Sequence, residues 1–362
     1  MAMEVIEVLR SEKSTTKLNN PAFAPDGSTL YYSIKDTLYV GRHVLPKGGI
    51  GAVYTVDDTD EFWDLSELVR DGKDSNKYTQ LRIGALRVDW ERKVVLVVVE
   101  YLAAYEGQYV GAVEWDTSDV LELDLELTTL LKQHKFGLPT VLTDIAPSGL
   151  EEQPFFVLAR QSERSRLAYY KGEAMLGLGR IEIAGENARL QNRALVFDVR
   201  RDRFVVGTEQ GIFEYNRESK TTASLGPNKP SAGNIGGLCI TNDGALVTMP
   251  VSGTWIRVYS AELDLLATYP MIESVLDRSP VGIQPKLAYN EHRRLVAIAC
   301  GDGSIAVVHL PWSRETHMIS SAETRAQIAT ALMVMEVHRE TKFVDMTPEA
   351  TRAILYRIFE LM

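Results

Sequence analysis

The chain has 362 residues, 49 acidic against 39 basic, and a formal net charge of -10. Hydrophobic residues make up 45% of it, an ordinary value for a soluble globular protein, and a chain of this length can bury a large core. Two cysteines are too few for a disulfide framework, and no apolar run approaches the roughly 20 residues that a membrane-spanning helix needs.

The N-terminal residues carry acidic side chains where a secretory signal peptide has a basic segment followed by an uninterrupted apolar run. The chain also has no Asn-x-Ser/Thr sequence for N-glycosylation. Both features favour a cytoplasmic location, or a nuclear one, over secretion.

A short phrase recurs along the chain: an apolar strand, a turn rich in Asp, Asn, Gly, Pro or Arg, and a second apolar strand. The last apolar residue before each turn serves as an anchor. The seven anchors are Phe23, Val88, Ile145, Phe197, Ile240, Tyr289 and Met335. Their spacings are 65, 57, 52, 43, 49 and 46 residues, so the first intervals carry insertions.

A second phrase follows most copies of the first, a short strand that ends on an aromatic or small residue. The copies are residues 37–41, 111–116, 166–170, 211–215, 254–259 and 304–309. At least three strands per repeat are therefore predicted. Residues 121–127 alternate leucine with acidic residues, which predicts an outer fourth strand with one apolar face and one solvated acidic face.

This arrangement resembles the β-propeller superfamily of WD40, NHL and similar repeats, whose WD40-type blades recur every ~40–45 residues. The resemblance covers nearly the whole chain at the level of blade architecture. Trp115-Asp116 is the only WD dipeptide in the expected place, no Gly-His pair precedes a blade, and no single family is matched. The resemblance implies an all-β fold, a single β-propeller domain over residues 1–362 with seven blades. The apolar segment 3–10 is expected to close the last blade as its fourth strand.

The C-terminal region supports an alternative, in which six blades precede an α-helical tail of about forty residues. Ser320 with Glu323 forms a capping box, and Thr347-Pro348-Glu349 is a good helix start. Short apolar runs discriminate poorly between strand and helix, so both interpretations stay open.

The negative charge is concentrated between Asp57 and Glu126, where 18 acidic residues accompany 7 basic ones. Within this region, residues 57–72 are predicted to form a short helical insertion after the first blade, with acids in the first turn and a glycine at the end. The residues predicted to bind a partner protein are Asp60, Glu61, Phe62, Trp63 and Leu65. Aromatic anchors ringed by acids suit a basic-rimmed groove on a partner. The competing interpretation is a helix whose apolar stripe packs on the side of the ring.

Three Asp-Gly pairs, at residues 26–27, 243–244 and 302–303, fall at predicted turns and are interpreted as turn residues rather than catalytic carboxylates. None of the six histidines pairs with another at metal-ligand spacing, and no nucleophile-elbow, zinc-protease or phosphate-loop motif occurs. Cys239 and Cys300 lie in apolar runs and are interpreted as structural. The sequence therefore assigns no catalytic residue, no metal site and no cofactor.

These observations favour a non-enzymatic scaffold for protein–protein interactions within a multiprotein assembly, with partners that present basic surfaces. The alternative is a metal-dependent hydrolase of the lactonase kind, with its site at the channel mouth. The side chains that loop placement would put there are Asp36, Glu100, Tyr101, Tyr105, Arg160, Arg164, Arg166, Asn192, Glu209 and Asn234. Nucleic acid is the least favoured partner, because phosphate backbones are bound by basic groups.

Overall fold

The structure is a computed structural model, and it describes residues 3–11, 17–46, 52–56, 62–66, 68, 78–103, 115–136, 141–161, 164–171, 174–180, 194–208, 211–216, 221–224, 235–278 and 287–312. The chain divides into two compact units, Met1–Pro311 and Trp312–Met362. Every described strand lies in the first unit, so the extension of the propeller domain to residue 362 stays a prediction. No described helix is long and apolar enough to cross a membrane.

The described residues are almost entirely extended. In chain order the strands are β1 (Glu4–Ser11), β2 (Leu18–Phe23), β3 (Thr29–Ile34), β4 (Tyr39–Val44), β5 (Ala52–Val56), β6 (Phe62–Asp64), β7 (Tyr78–Asp89), β8 (Val94–Ala103), β9 (Trp115–Asp124), β10 (Leu130–Lys135), β11 (Val141–Pro147), β12 (Phe155–Gln161) and β13 (Arg164–Lys171). They continue with β14 (Ala174–Arg180), β15 (Ala194–Asp198), β16 (Arg203–Thr208), β17 (Gly211–Asn216), β18 (Thr221–Ser224), β19 (Ile235–Ile240), β20 (Leu246–Pro250), β21 (Trp255–Tyr259), β22 (Leu265–Pro270), β23 (Leu287–Asn290), β24 (Leu295–Ala299) and β25 (Ile305–His309). A short helix, α1 (Glu273–Leu276), follows β22.

The strands form six sheets, five with four strands and one with five, within the described residues. Sheet 1 is β2-β3-β4-β6, sheet 2 is β7 to β10, sheet 3 is β11 to β14, sheet 4 is β15 to β18, sheet 5 is β19 to β22, and sheet 6 is β23-β24-β25-β1-β5. The innermost strands contact one another in the cyclic order β2, β7, β11, β15, β19, β23 and back to β2. The six sheets therefore form a closed ring.

The prediction of seven blades is wrong. The N-terminal strand does close a sheet, but that sheet belongs to the sixth repeat: β1 pairs antiparallel with β25, with Glu4 opposite His309 and Leu9 opposite Ile305. At the inner side of the same sheet β23 contacts β2, so the ring closes before the seventh anchor. Met335 and the segment predicted to form a helical tail lie outside the described residues.

The repeat phrases locate strands well, with one clear error. The first six anchors all lie on the innermost strands, and the second phrase marks third strands such as β13, β17, β21 and β25. Residues 121–127, however, are not an outer strand. Residues 121–124 end β9, the third strand of sheet 2, and β10 covers its edge. Glu122 is consequently buried rather than solvated.

Apolar clusters fill the spaces between neighbouring sheets. Between sheets 3 and 4, the ring of Phe156 lies 4.3 Å from that of Phe197 and 4.7 Å from that of Phe204, centroid to centroid. Other clusters join sheet 1 to sheet 2, sheet 2 to sheet 3, sheet 4 to sheet 5, and sheet 6 to sheet 1. Within the described residues, apolar clusters thus bury the facing sides of the sheets at these five interfaces.

The turn after each innermost strand takes one of two forms, and the forms alternate around the ring. Sheets 1, 3 and 5 use a glycine in the left-handed region, with φ of 67° at Gly27, 74° at Gly149 and 88° at Gly244. In sheets 2, 4 and 6, an Asp or Asn side chain accepts a hydrogen bond from the backbone N–H of an arginine three residues later. These pairs are Asp89–Arg92 (3.1 Å), Asp198–Arg201 (3.3 Å) and Asn290–Arg293 (2.9 Å).

Each of these Asx–Arg turns contacts the glycine turn of the next sheet. At the closing interface, Asn290 and Arg293 donate to the backbone carbonyls of Ala24, Pro25, Gly27 and Pro46 over 2.9 to 3.2 Å. Between sheets 4 and 5, the Arg201 guanidinium donates to the carbonyl of Asp243 at 3.5 Å. Gly149 likewise lies against the turn of sheet 2. The same nested contact therefore recurs at every second interface, including the one that closes the ring.

Deletion of residues 1–12 tests the closure. Removing β1 opens the edge of β25 and detaches β5, so we expect loss of the cooperative unfolding transition. Circular dichroism during heating measures it, and Glu4→Gln, at an exposed position of β1, is the control that should keep the native transition. An unchanged melting temperature in the truncated chain would contradict closure by β1.

Alanine at two glycine turns tests how tightly the closing turn is held. A Cβ on Gly27 would lie 2.6 Å from Asn290 Oδ1, whereas one on Gly149 would meet nothing closer than Glu91 Cγ at 3.2 Å. Both changes strain a left-handed backbone at a cost of about 1 kcal/mol, and Gly27→Ala adds an overlap that raises the loss to about 2–3 kcal/mol. Urea unfolding measures both values. Equal losses would mean that Asn290 yields to the added methyl group.

Candidate protein-interaction surface

The first part of the predicted helical insertion is a strand. Phe62–Asp64 forms β6, which pairs with β4 so that Phe62 lies opposite Gly41 and Asp64 opposite Tyr39. The extended backbone places Phe62 and Trp63 on opposite faces of sheet 1, where they pack against two different apolar clusters. Ser66 and Leu68 are helical, and residues 57–61, 67 and 69–72 lie outside the described residues.

Among the five residues predicted to bind a partner, Leu65 belongs to the core. Its side chain is fully buried between sheets 1 and 2, and its backbone N–H donates to the carbonyl of Leu38 at 3.1 Å. It is therefore inaccessible to a partner in this fold. Phe62 and Trp63 keep part of their surface exposed, and Asp60 and Glu61 lie outside the described residues.

Phe62 belongs to a group of aromatic side chains at the junction of sheets 1 and 6. Its ring meets Tyr32 edge-on at 6.3 Å and Tyr39 at 6.4 Å, centroid to centroid. On the same side of β4, the ring of His43 lies 4.1 Å from that of Tyr54 on β5. We call Tyr39, His43, Tyr54 and Phe62 the aromatic patch.

Two exposed valines lie on the strands that carry the aromatic patch, on the faces opposite His43 and Tyr54 because side chains alternate along a strand. Val44 follows His43 on β4 and is 70% exposed, and Val53 precedes Tyr54 on β5 and is 52% exposed. Tyr39 itself is 39% exposed. These three residues were not among those predicted from the sequence to bind a partner. The available signal was the uncharged stretch 52–56, which is unusual for the outer strand of a sheet.

A buried polar contact joins the aromatic patch to β1. His43 Nε2 lies 3.1 Å from Glu7 Oε2, and both side chains are at most 10% exposed. Glu7 is on β1, so the pair joins the closing strand to sheet 1. Its position links ring closure to the geometry of the patch.

The side chains expected at the channel mouth form separate pairs. Buried Glu100 accepts a hydrogen bond from Arg82 Nε at 2.6 Å, and a Cβ on Gly84 would overlap its carboxylate. The Tyr101 hydroxyl donates to Asp119 at 2.8 Å, while Asp36 is exposed. Tyr105, Asn192, Glu209 and Asn234 lie outside the described residues, and Arg160, Arg164 and Arg166 lie on β12 and β13. No group of three metal-binding side chains occurs in the ranges that the structure describes.

A histidine–carboxylate cluster in sheet 2 has the composition of a catalytic site but no access. His134 Nε2 lies 2.6 Å from Glu122 Oε1, and Arg92 forms a close ion pair with the other oxygen of Glu122. The side chains of His134 and Glu122 are 0% and 3% exposed. Burial raises the pKa of Glu122, but its bonds from His134 and Arg92 outweigh this and hold the pKa below 4.5. A substrate cannot reach these groups, so the cluster stabilises the fold.

The two cysteines have environments that suppress thiol reactivity. Burial raises the pKa of Cys239 to about 12 and that of Cys300 to about 11. Both are free thiols, and a thiolate is needed for nucleophilic attack. They remain protonated at neutral pH, in agreement with a structural role.

A closed ring of sheets whose strands are antiparallel except for the parallel pair β1–β5, with the N-terminal strand joining the last sheet, defines the chain as a β-propeller, and its irregular repeats make it a divergent one. No family model and no curated protein matches it. Among solved structures it is similar to the β-propeller domain of Myceliophteria thermophila Cps50 (Swd1), with a TM-score of 0.50 and 13% identity over 85% of this chain and 99% of that chain. At this identity the similarity shows the fold alone.

Replacing Glu122 tests the buried cluster. Glu122→Gln removes a charge-assisted pair and should destabilise the protein by about 2 kcal/mol at pH 7. Because the folded pKa of Glu122 lies below its unfolded value, this stabilisation is present at neutral pH and disappears as the pH falls below 4.5 through the folded value. The difference between the variant and the parent should therefore narrow in acid, as measured by chemical denaturation. Glu126→Gln, at an exposed site near the same sheet, is the control. If the difference in unfolding free energy between Glu122→Gln and the parent did not change with pH, the proposed role of the Glu122 carboxylate would be contradicted.

Proposed function

We propose that this β-propeller is a non-enzymatic platform for protein–protein interactions, and that basic partners dock on the aromatic patch and the acidic residues beside it. The observation that carries the proposal is the exposure of Tyr39 beside partly exposed Phe62, on outer strands that also expose Val44 and Val53. Large apolar groups that stay accessible in this way mark interaction sites more often than catalytic ones.

The charge of the neighbouring segment supports a basic partner. Residues 57–61 connect β5 to β6, and four of these five residues are acidic. Chain connectivity keeps them within a few residues of Tyr54 and Phe62. Apolar side chains with acidic residues close by in the sequence favour a partner surface that combines aliphatic groups with Lys or Arg, and the attraction should weaken as salt rises.

The buried polar clusters also favour a platform over an enzyme. Glu122, Glu100 and Asp119 are each held by internal partners, which leaves them no free coordination or proton-transfer position toward solvent. A cytoplasmic or nuclear location fits this role and remains a prediction from the sequence.

Charge reversal beside the patch tests the proposal. A partner is first captured from native extract, identified, and rebound to the purified chain at low and at physiological salt. We expect the double variant Asp60→Lys with Glu61→Lys to weaken binding about tenfold at low salt, since two favourable charges become repulsive.

The matched control is Glu151→Lys with Glu152→Lys, an exposed acidic pair in sheet 3. It changes the net charge equally and should leave binding nearly unchanged. Recovery of the chain alone at both salt concentrations, or equal weakening by both double variants, would contradict the proposed docking surface.

A further inference from the structure

An arginine stacked on a tryptophan occupies sheet 5, which does not contribute to the aromatic patch. The guanidinium carbon of Arg257 lies 4.0 Å from the ring centroid of Trp255. The two residues are separated by one position on β21, so they share one face of the strand, and both are partly buried. Stacking fixes the guanidinium plane against the indole and directs the terminal N–H groups outward from the ring edge.

The guanidinium of Arg257 has no acceptor in the part of the chain that the structure describes. Its Nε is buried and makes no hydrogen bond. Other buried arginines behave differently: Arg203 bonds Asp198 at 3.1 Å and Glu214 at 2.9 Å, and Arg92 pairs with Glu122. Because buried charges are normally paired, Arg257 is suited to an anion that comes from outside the chain.

A threonine adds a second donor beside the arginine. Thr268 on β22 lies directly opposite Arg257, so their side chains share one face of sheet 5, and Thr268 is exposed. On β20, the strand on the other side of β21, Thr248 lies opposite Arg257, and its hydroxyl donates a hydrogen bond to the Arg257 carbonyl at 3.4 Å. The accessible donors on this face are therefore the guanidinium and the Thr268 hydroxyl.

Glu214, an acidic residue of the neighbouring sheet 4, does not neutralise the charge of Arg257. Trp255 packs against the apolar cluster between sheets 4 and 5, so the face with Arg257 looks toward sheet 4. There Glu214 is held by Arg203, which also bonds the carbonyl of Ala261 in sheet 5. Glu214 makes no ion pair with Arg257.

We propose that Trp255, Arg257 and Thr268 form a binding site for a carboxylate side chain in an acidic segment of a partner protein. The planar guanidinium fork matches a carboxylate through two parallel N–H···O bonds, and the Thr268 hydroxyl can donate to the same group. One cation suits a monoanion, whereas a phosphate dianion usually requires more positive groups. This site rests on the proposed platform function and extends it, since it selects the opposite charge from the aromatic patch.

Direct titration with hexaglutamate peptide tests the site without any unidentified partner. Isothermal calorimetry gives the Kd, and tryptophan fluorescence reports an anion beside Trp255, with Trp255→Phe assigning the signal. We expect saturable binding that Arg257→Gln weakens about tenfold or more. The affinity of Arg257→Lys, which keeps the charge but loses the planar guanidinium, should lie between those of the parent and Arg257→Gln. Arg200→Gln, at an exposed turn position of sheet 4, is the matched control and should bind like the parent.

Hexalysine and inorganic phosphate at equal ionic strength complete the experiment. Absence of saturable hexaglutamate binding, equal losses in the Arg257 and Arg200 variants, or preference for phosphate would each overturn the carboxylate site. Thermal unfolding of each variant shows whether it is folded. If Arg257→Gln does not fold, the comparison of Arg257→Lys with the parent still tests the site. The peptide titration does not involve the captured partner. A failure of the carboxylate site is therefore distinguishable from a failure of docking at the aromatic patch.

Discussion

Pairing of the N-terminal strand with the last sheet is the constraint on which the remaining structure depends. Each sheet buries its two faces against its neighbours, so an open ring would leave two apolar faces in water. β1 ties the two ends of the ring together, because it pairs with β25 of sheet 6 and precedes β2 of sheet 1 in the chain, and the Asn290–Arg293 turn holds the first turn of sheet 1 through four backbone carbonyls. Closure is thus both a matter of strand pairing and of polar contacts at the turns.

Because the two turn types alternate around the ring, neighbouring sheets are joined in pairs by their turns. A rigid Asx–Arg turn in one sheet lies against a glycine turn in the next, which has no side chain to obstruct it. Gly27 and Gly244 would both overlap the preceding turn if they carried a Cβ. The repeats therefore differ in sequence for a packing reason: the glycine turn leaves the space that the side chains of the neighbouring Asx–Arg turn occupy.

Within the described residues, some polar side chains bond one another in the core, and other side chains stay available to a partner. Glu122, His134 and Arg92 satisfy one another in the core, where low solvent access strengthens each bond. Tyr39 and Arg257 instead keep apolar surface or donor capacity that the fold does not use. The two external features lie on different sheets and favour partners of opposite charge, which suits a platform that contacts more than one segment of an assembly.

Local pattern determined much of this protein. The anchors from Phe23 to Tyr289 mark the innermost strands, and Asp-Gly pairs such as Asp243-Gly244 mark tight turns, because both depend only on neighbours in the chain. The tertiary structure alone decided that the ring closes at the sixth repeat, that Glu122 is buried, that Leu65 is in the core and that Arg257 has no acceptor. Each of these outcomes depends on which distant strand or side chain lies opposite, and a periodic pattern carries no information about residues that are far apart in sequence.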